Sequence, residues 1–332
     1  MTVQLHDDPA ELVADAIRGL VSAHPTIVSA RFDPLFVIRA DSGAPGTVAV
    51  VSGGGSGHEP LHAGFVGSGM LDAAVPGQVF ASPTAGQVHA ALVAADRGAG
   101  VVLIIKNYTG DVLNFTLAAE DARDDGLSVE LVLVDDDLAT DGENSGTGRR
   151  GTAATVVAEK LAGAAAREGR SLGEVAAVAR GAAERSRSLA VGFRSATLPG
   201  HDTPSFELQP GELEFGVGIH GERGTGRTLA GNGSEIVASL VRPLVDALGL
   251  SEGDEIIAVV NGLGGTAGVH LGAARHYLDR ALEGTGIRIA RSLVGSYVTA
   301  LEMQGISITL TRITDGDLEL WDAPVTTAAL RW

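Results

Sequence analysis

Three segments of this chain pair chemically able side chains with glycines that leave them accessible. Ser52-Gly-Gly-Gly-Ser-Gly-His-Glu-Pro60 runs out of an apolar stretch into a histidine. Lys106-Asn-Tyr-Thr-Gly-Asp111 brings an amine and a carboxylate close in sequence, and Gly218-Ile-His-Gly221 sets a second histidine among glycines. An imidazole, with an unperturbed pKa of about 6.5, can act as nucleophile, acid or base near neutrality. A neighbouring carboxylate can orient it or share its proton. His58, Asp111 and His220 are therefore the candidate catalytic groups.

Each has a structural alternative. Either histidine could cap a turn, and Asp111 could serve as a helix N-cap or dipole partner. Lys106 could be a surface lysine whose stem lies along the sheet. Asp135-Asp-Asp137 could hold magnesium, although solvated turn acids are the commoner outcome. His6, His24, His62, His89, His201, His270 and His276 have no polar constellation around them and read as surface or core residues.

The first glycine cluster invites a phosphate-loop reading, which its neighbours do not support. A Walker loop requires a lysine on the terminal phosphates, and this one ends Gly57-His58-Glu59. A dinucleotide fingerprint needs an acid closing a second strand; Asp72 follows Gly67-Ser-Gly-Met70, a poor strand. The glycines suit close backbone approach to a small, uncharged ligand better.

The elements that must position these groups alternate. Ala10 to Ala23 is apolar at helical spacing and ends near His24-Pro25. Thr47–Ser52 and Val101–Ile105 read as buried strands, Val112–Asp124 as a helix and Val129–Val134 as the next strand. The last three form a βαβ unit with a parallel pair. Ala153–Glu168 is an alanine-rich helix, and Ser171-Leu-Gly-Glu174 opens another as a capping box. Leu189–Phe193 reads as a strand, and Pro199-Gly-His-Asp-Thr-Pro204 as loop. Ile256–Val260 is a strand that ends in Asn261-Gly-Leu-Gly-Gly265, ahead of a helix to about Leu282. Ile287–Ile289, Leu293–Val294 and Ile306–Leu310 are further strand candidates.

The expected class is α/β: two lobes with mostly parallel sheets flanked by helices. Residues 1–190 form an N-terminal domain with His58 and Asp111, and 191–317 a C-terminal domain with His220. A tail over 318–332 is expected to pack on the first lobe. Functional groups in such folds gather at the carboxyl ends of strands.

Composition narrows the partners. A net charge of −17 argues against nucleic acid, whose phosphates demand clustered Lys and Arg. The absence of cysteine excludes disulfides and thiolate chemistry. The N-terminus is acidic, with no signal-like apolar run, and no stretch matches a membrane span, so a cytoplasmic protein is expected.

As a set, Ser52–Pro60, Ile104-Ile-Lys-Asn-Tyr-Thr-Gly-Asp-Val-Leu-Asn-Phe115, Glu214-Phe-Gly-Val-Gly-Ile-His-Gly-Glu222 and Leu320-Trp-Asp-Ala-Pro324 closely resemble the dihydroxyacetone-binding (K) subunits of dihydroxyacetone kinases. The likeness runs from about His24 to the end. It implies that His220 adds through a ring nitrogen to the substrate ketone as a hemiaminal, that His58 is the acid/base, and that Asp111 is its partner at the reacting hydroxyl. Substrate contacts are implied for Gly55, Ser56, Gly57 and Lys106.

The resemblance also implies a phosphotransferase without metal or cofactor of its own. ADP or ATP with Mg²⁺ would sit on a separate nucleotide-binding L-type subunit, recharged by a phosphotransferase-system protein or by exchange with free ATP. A homodimer is implied as well. Glu222-Arg-Gly stands where Glu-Pro-Gly is usual, and the segment from Arg227 to Glu255 is short, so a four-carbon ketose such as erythrulose is an alternative substrate. A non-catalytic, ketose-sensing coactivator of transcription is the alternative from another functional class.

Overall fold

The computed structural model describes residues 5–142 and 148–332. It divides into two compact units. The first takes the chain up to Val134, Thr155–Ala183 and Gly316–Trp332; the second takes Asp135–Ala154 and Glu184–Asp315.

The first unit opens with helix α1 (Leu12–Ala23), which buries Val13 and Ile17. Strands β1 (Val28–Phe32) and β2 (Leu35–Arg39) form an antiparallel pair. Then come β3 (Ala49–Ser56), the two-residue β4 (Gly67–Ser68), β5 (Ala73–Val79), α2 (Ala85–Ala95), β6 (Val101–Lys106), α3 (Thr109–Asp124) and β7 (Val129–Val134). The sheet order is β1-β2-β5-β3-β6-β7, and the four strands from β5 to β7 are parallel. Central parallel strands are covered on both faces, which explains why every residue of β3 and β6 is buried and neither alternates in polarity. Val88, Leu92, Phe115 and Ala119 from α2 and α3 pack with Val51, Leu103 and Ile105.

Helices α4 (Ala154–Arg167) and α5 (Leu172–Glu184) follow. Ser171 caps α5 as its sequence suggests, its hydroxyl and amide both donating to the Glu174 carboxylate at 2.6 and 2.9 Å.

The second unit comprises β8 (Ser186–Arg194), β9 (Glu212–Phe215), β10 (Gly226–Leu229), α6 (Gly233–Leu248), β11 (Glu255–Gly262), α7 (Gly268–Leu282), β12 (Arg288–Gly295) and β13 (Gln304–Arg312). The strand order is β10-β9-β8-β13-β11-β12. Leu240 and Leu244 of α6 and Leu271 and Leu278 of α7 pack with Ile256, Ala258, Ile308 and Leu310.

The α/β class with helix-flanked sheets therefore holds, and parallel pairing prevails in the first unit. In the second, only β11 and β12 are parallel, and the other pairings are antiparallel. A parallel return needs a crossover, usually a helix. The chain from Gly295 to Gln304 is too short for one, so β13 runs back antiparallel beside β11.

Three expectations need correction. The segments at 287–289 and 293–294 are one strand, β12. A boundary at 190 would cut β8, whose ladder with β13 runs from Ser186 to Arg194 and holds it in the second unit. The glycines after Ser52 are not a turn: β3 continues through them to Ser56.

The closing helix α8 (Asp317–Asp322) and strand β14 (Thr326–Thr327) belong to the first unit, where β14 pairs with β4. Among the described residues no helix is long and apolar enough to cross a membrane.

Candidate active site

In the first unit the site grows from the carboxyl ends of β3 and β6. Lys106 is the last residue of β6 and Asp111 lies in the first turn of α3, where the helix dipole favours a carboxylate. Asp111 is buried, and its Oδ2 lies 3.7 Å from the Lys106 amine. The surface-lysine alternative fails, because Lys106 is fully enclosed. Its Nζ donates to the carbonyl oxygen of Gly53 at 3.1 Å and lies 2.7 Å from Nε2 of His62. The other nitrogen of that ring, Nδ1, is 2.6 Å from Oε1 of Glu159 on α4.

Gly54 explains how the amine gets in. Its φ is +151°, and a Cβ there would run into the Lys106 amine. The bare backbone serves the protein itself at the neighbouring positions too. A Cβ on Gly53 would strike the Val75 carbonyl, and one on Gly55 the backbone of Phe80 and Ala81. Ser56 donates to the Gly77 carbonyl oxygen at 2.7 Å, and the Gly57 amide donates to the Glu59 carboxylate at 3.0 Å. His58 is buried, its ring stacked on Phe80 with centroids 5.1 Å apart and planes at 19°.

Burial dominates the electrostatics of this cluster. It pulls the Lys106 pKa down, against the attraction of Asp111 and Glu159. It also drives His62 well below the usual imidazole value, with Lys106 and His58 adding to the effect. Glu159 is pushed up to about 8 by burial, with Ser52 and Lys106 opposing. A charge this deep survives only with close partners.

In the second unit, the loop after β9 holds His220, whose side chain keeps 20% exposure. Glu222 fixes the loop. Its Oε2 accepts from the His220 amide at 2.8 Å, and its Oε1 is 3.7 Å from His220 Nδ1 and 3.4 Å from Arg150. Burial would raise the Glu222 pKa, but His220 and Arg150 overcome that and hold it at about 2. Arg150 in turn donates to Asp137 at 2.8 Å and to the Gly216 carbonyl oxygen at 2.9 Å. A Cβ on Gly218 would collide with the Glu222 carboxylate, so this glycine is bare for a structural reason.

In the acidic run Asp135 is partly exposed and paired with Arg149, whereas Asp136 and Asp137 are buried. Asp136 is fully buried and accepts from the amides of Thr152 and Ala154 and the hydroxyls of Thr152 and Ser188. Asp137 is buried against Arg150. Among the described residues no group of three or more His, Cys, Asp or Glu could hold a metal ion.

Lys106 and Asp111 thus come together as a pair, His58 lies in the same unit, and His220 lies in the other. Sequence reasoning missed His62, Glu159, Glu222 and Arg150. Only Glu222 carried a signal, as part of the His220 motif.

The Dak1 domain model matches residues 18–329. The chain is 41% identical to the dihydroxyacetone-binding subunit DhaK of the PEP-dependent dihydroxyacetone kinase of Escherichia coli K12, covering 99% of each. The dihydroxyacetone kinase from C. freundii, solved with AMP-PNP and Mg²⁺, superposes with a TM-score of 0.92 at 36% identity, over 100% of this chain and 61% of that one. A dihydroxyacetone kinase operon co-activator, DhaQ, superposes with a TM-score of 0.89 at 32% identity, over 95% and 96% of the two chains.

Proposed function

This chain belongs to the Dak1 family, and on that footing we propose that it is the ketone-binding, catalytic subunit of a two-component dihydroxyacetone kinase. His220 carries the reading. Glu222 beside Nδ1 favours the proton on that nitrogen, which leaves Nε2 with a lone pair for attack on the substrate's carbonyl carbon. A covalent anchor suits so small a ligand. About 1.5 kcal/mol per heavy atom caps a six-atom molecule at roughly 9 kcal/mol. Glycerol has the hydroxyls but no ketone, so it escapes the anchor.

His58 and Asp111 then serve the hydroxyl that receives the phosphoryl group, as base and orienting carboxylate. Gly55, Ser56, Gly57 and Lys106 complete the substrate contacts. The nucleotide and Mg²⁺ belong to an L-type partner. In this chain no phosphate-gripping lysine follows the glycines of β3. Phosphoryl transfer then depends on positioning and on charge stabilisation by the partner's metal. The protein works in the cytoplasm as a homodimer.

The test is turnover of dihydroxyacetone and erythrulose, side by side, by this chain with a purified L-type subunit. Phosphate ester formation on dihydroxyacetone is expected. Preference for erythrulose would reassign the substrate. Ketose binding without any phosphorylation would favour a sensor like the co-activator.

A further inference from the structure

His62 bridges Lys106 and Glu159 through its two ring nitrogens, at 2.7 and 2.6 Å, and all three residues are buried. A neutral imidazole carries one N–H. If that proton is on Nδ1, it donates to Glu159 Oε1, which a carboxylate accepts best, and Nε2 accepts from Lys106, which an ammonium donates best. If the proton is on Nε2, it points at Lys106, which must then be a neutral amine, and Nδ1 must accept from a carboxylic acid. The Nδ1 proton thus favours both outer groups charged, whereas the Nε2 proton requires both neutral. A doubly protonated ring is disfavoured by its burial and by the neighbouring Lys106.

We propose that Glu159, acting through His62, sets the charge of Lys106, and that the three form a two-proton relay behind the reacting hydroxyl. In the shift from charged to neutral, a proton leaves Lys106 Nζ for His62 Nε2, and the Nδ1 proton passes to Glu159 Oε1. Two N–H bonds break, one N–H and one O–H form, no electrons change hands, and the net charge of the trio stays constant. Charge is thereby added to or withdrawn from the amine beside Asp111 without water entering the core.

Around the trio, Asp111 from α3 and His58 after β3 are the other titratable groups that act on it. Asp111 favours the charged form of Lys106, and a protonated His58 would oppose positive charge on His62. Burial lowers Lys106 and raises Glu159 to about 8, which narrows the gap between the charged and neutral arrangements. Glu159 and His62 are positioning residues here. That role rests on the placement of Lys106 in the substrate site, but the relay itself can be read without any substrate.

The chain contains only two lysines, Lys106 and Lys160, so ¹³Cε-lysine labelling of the full chain gives two side-chain signals, assigned with Lys160→Met. Nitrogen shifts of His62 report its tautomer. Because the shift conserves charge, Lys106 and the His62 tautomer are expected to change together at fixed pH when Asp111→Asn withdraws the attraction that favours the ammonium. Loss of charge on Lys106 in that variant with a fixed His62 tautomer would overturn the relay. In Glu159→Gln, of equal size but without charge, the Lys106 midpoint is expected to fall by at least about one unit, a tenfold change in proton affinity. The pH profile of kcat should move the same way, whereas a packing defect would lower activity and leave the profile in place. An unchanged Lys106 midpoint in this variant refutes the proposal. Coupled changes of Lys106 and His62 in a protein that phosphorylates no ketose would sink the kinase reading and leave the relay standing; normal turnover with uncoupled changes would do the reverse.

Discussion

Glu159 and Lys160, adjacent on α4, are both fully enclosed and serve different partners. Glu159 meets the His62 ring, while Lys160 donates to the carbonyl oxygen of Leu320 at 2.6 Å and lies 5.7 Å from the Trp332 ring centroid. One turn of helix thus ties the candidate site and the C-terminal segment to the same rigid rod.

Lys160 offers the first prediction. Burial lowers its pKa to about 8, against an attraction from Asp322. The folded state therefore binds fewer protons than the unfolded chain between about 8 and 10.5, and stability should rise with pH across that window. Urea denaturation of wild type and Lys160→Met, followed by tryptophan fluorescence, should show this rise in the wild type and its loss in the variant. Both tryptophans, Trp321 and Trp332, lie in the tail, so the signal reports its docking.

Glu222 offers the second, with the opposite sign. Its folded pKa lies below the ordinary 4.5, so its contribution is complete above that value and fades as pH falls towards 2. Glu222→Ala should release the His220 loop. A loss of about 10²-fold in kcat/KM for the ketose is expected, the scale of a 1 Å misplacement. The melting temperature should also fall at neutral pH and approach that of the wild type as pH drops towards 2. Steady-state kinetics with calorimetry checks both points.

His220→Ala should abolish the preference for ketose over glycerol. Isothermal titration with both ligands is the measurement, and equal retention of ketose affinity would refute the covalent anchor.

His58→Ala and Asp111→Asn should act on turnover more than on affinity. A positioned base contributes about 10² to 10⁴ in rate. The expected outcome is a fall in kcat of that order with a smaller change in ketose Kd, read by single-turnover kinetics and titration.

Gly54→Ala tests the entry of the buried amine. The added methyl would meet Lys106 at a backbone angle that L residues rarely adopt. Overpacking of this kind costs about 1–3 kcal/mol. Differential scanning calorimetry should register that loss, together with a changed Lys106 titration.

Much of the first unit was legible because local signals agree with global ones there. Val129–Val134 was read with its observed limits, and Lys106 and Asp111 fell at a strand end and a helix start, where parallel sheets place their chemistry. The relay was not legible. His62 lies 44 residues from Lys106 and 97 from Glu159, in a segment without period, and Glu159 sits in an alanine-rich helix that reads as packing alone. Only the fold brings these three together. The antiparallel character of the second sheet was hidden for a related reason: β-branched runs declare a strand but not its direction.

The pairing of β14 with β4 has a consequence for biosynthesis. A ribosome delivers Gly67 and Ser68 before the second unit and their partners Thr326 and Thr327 only after all of it. The unit that begins first is therefore completed after the second, and until then its two-stranded seam stands open on the nascent chain.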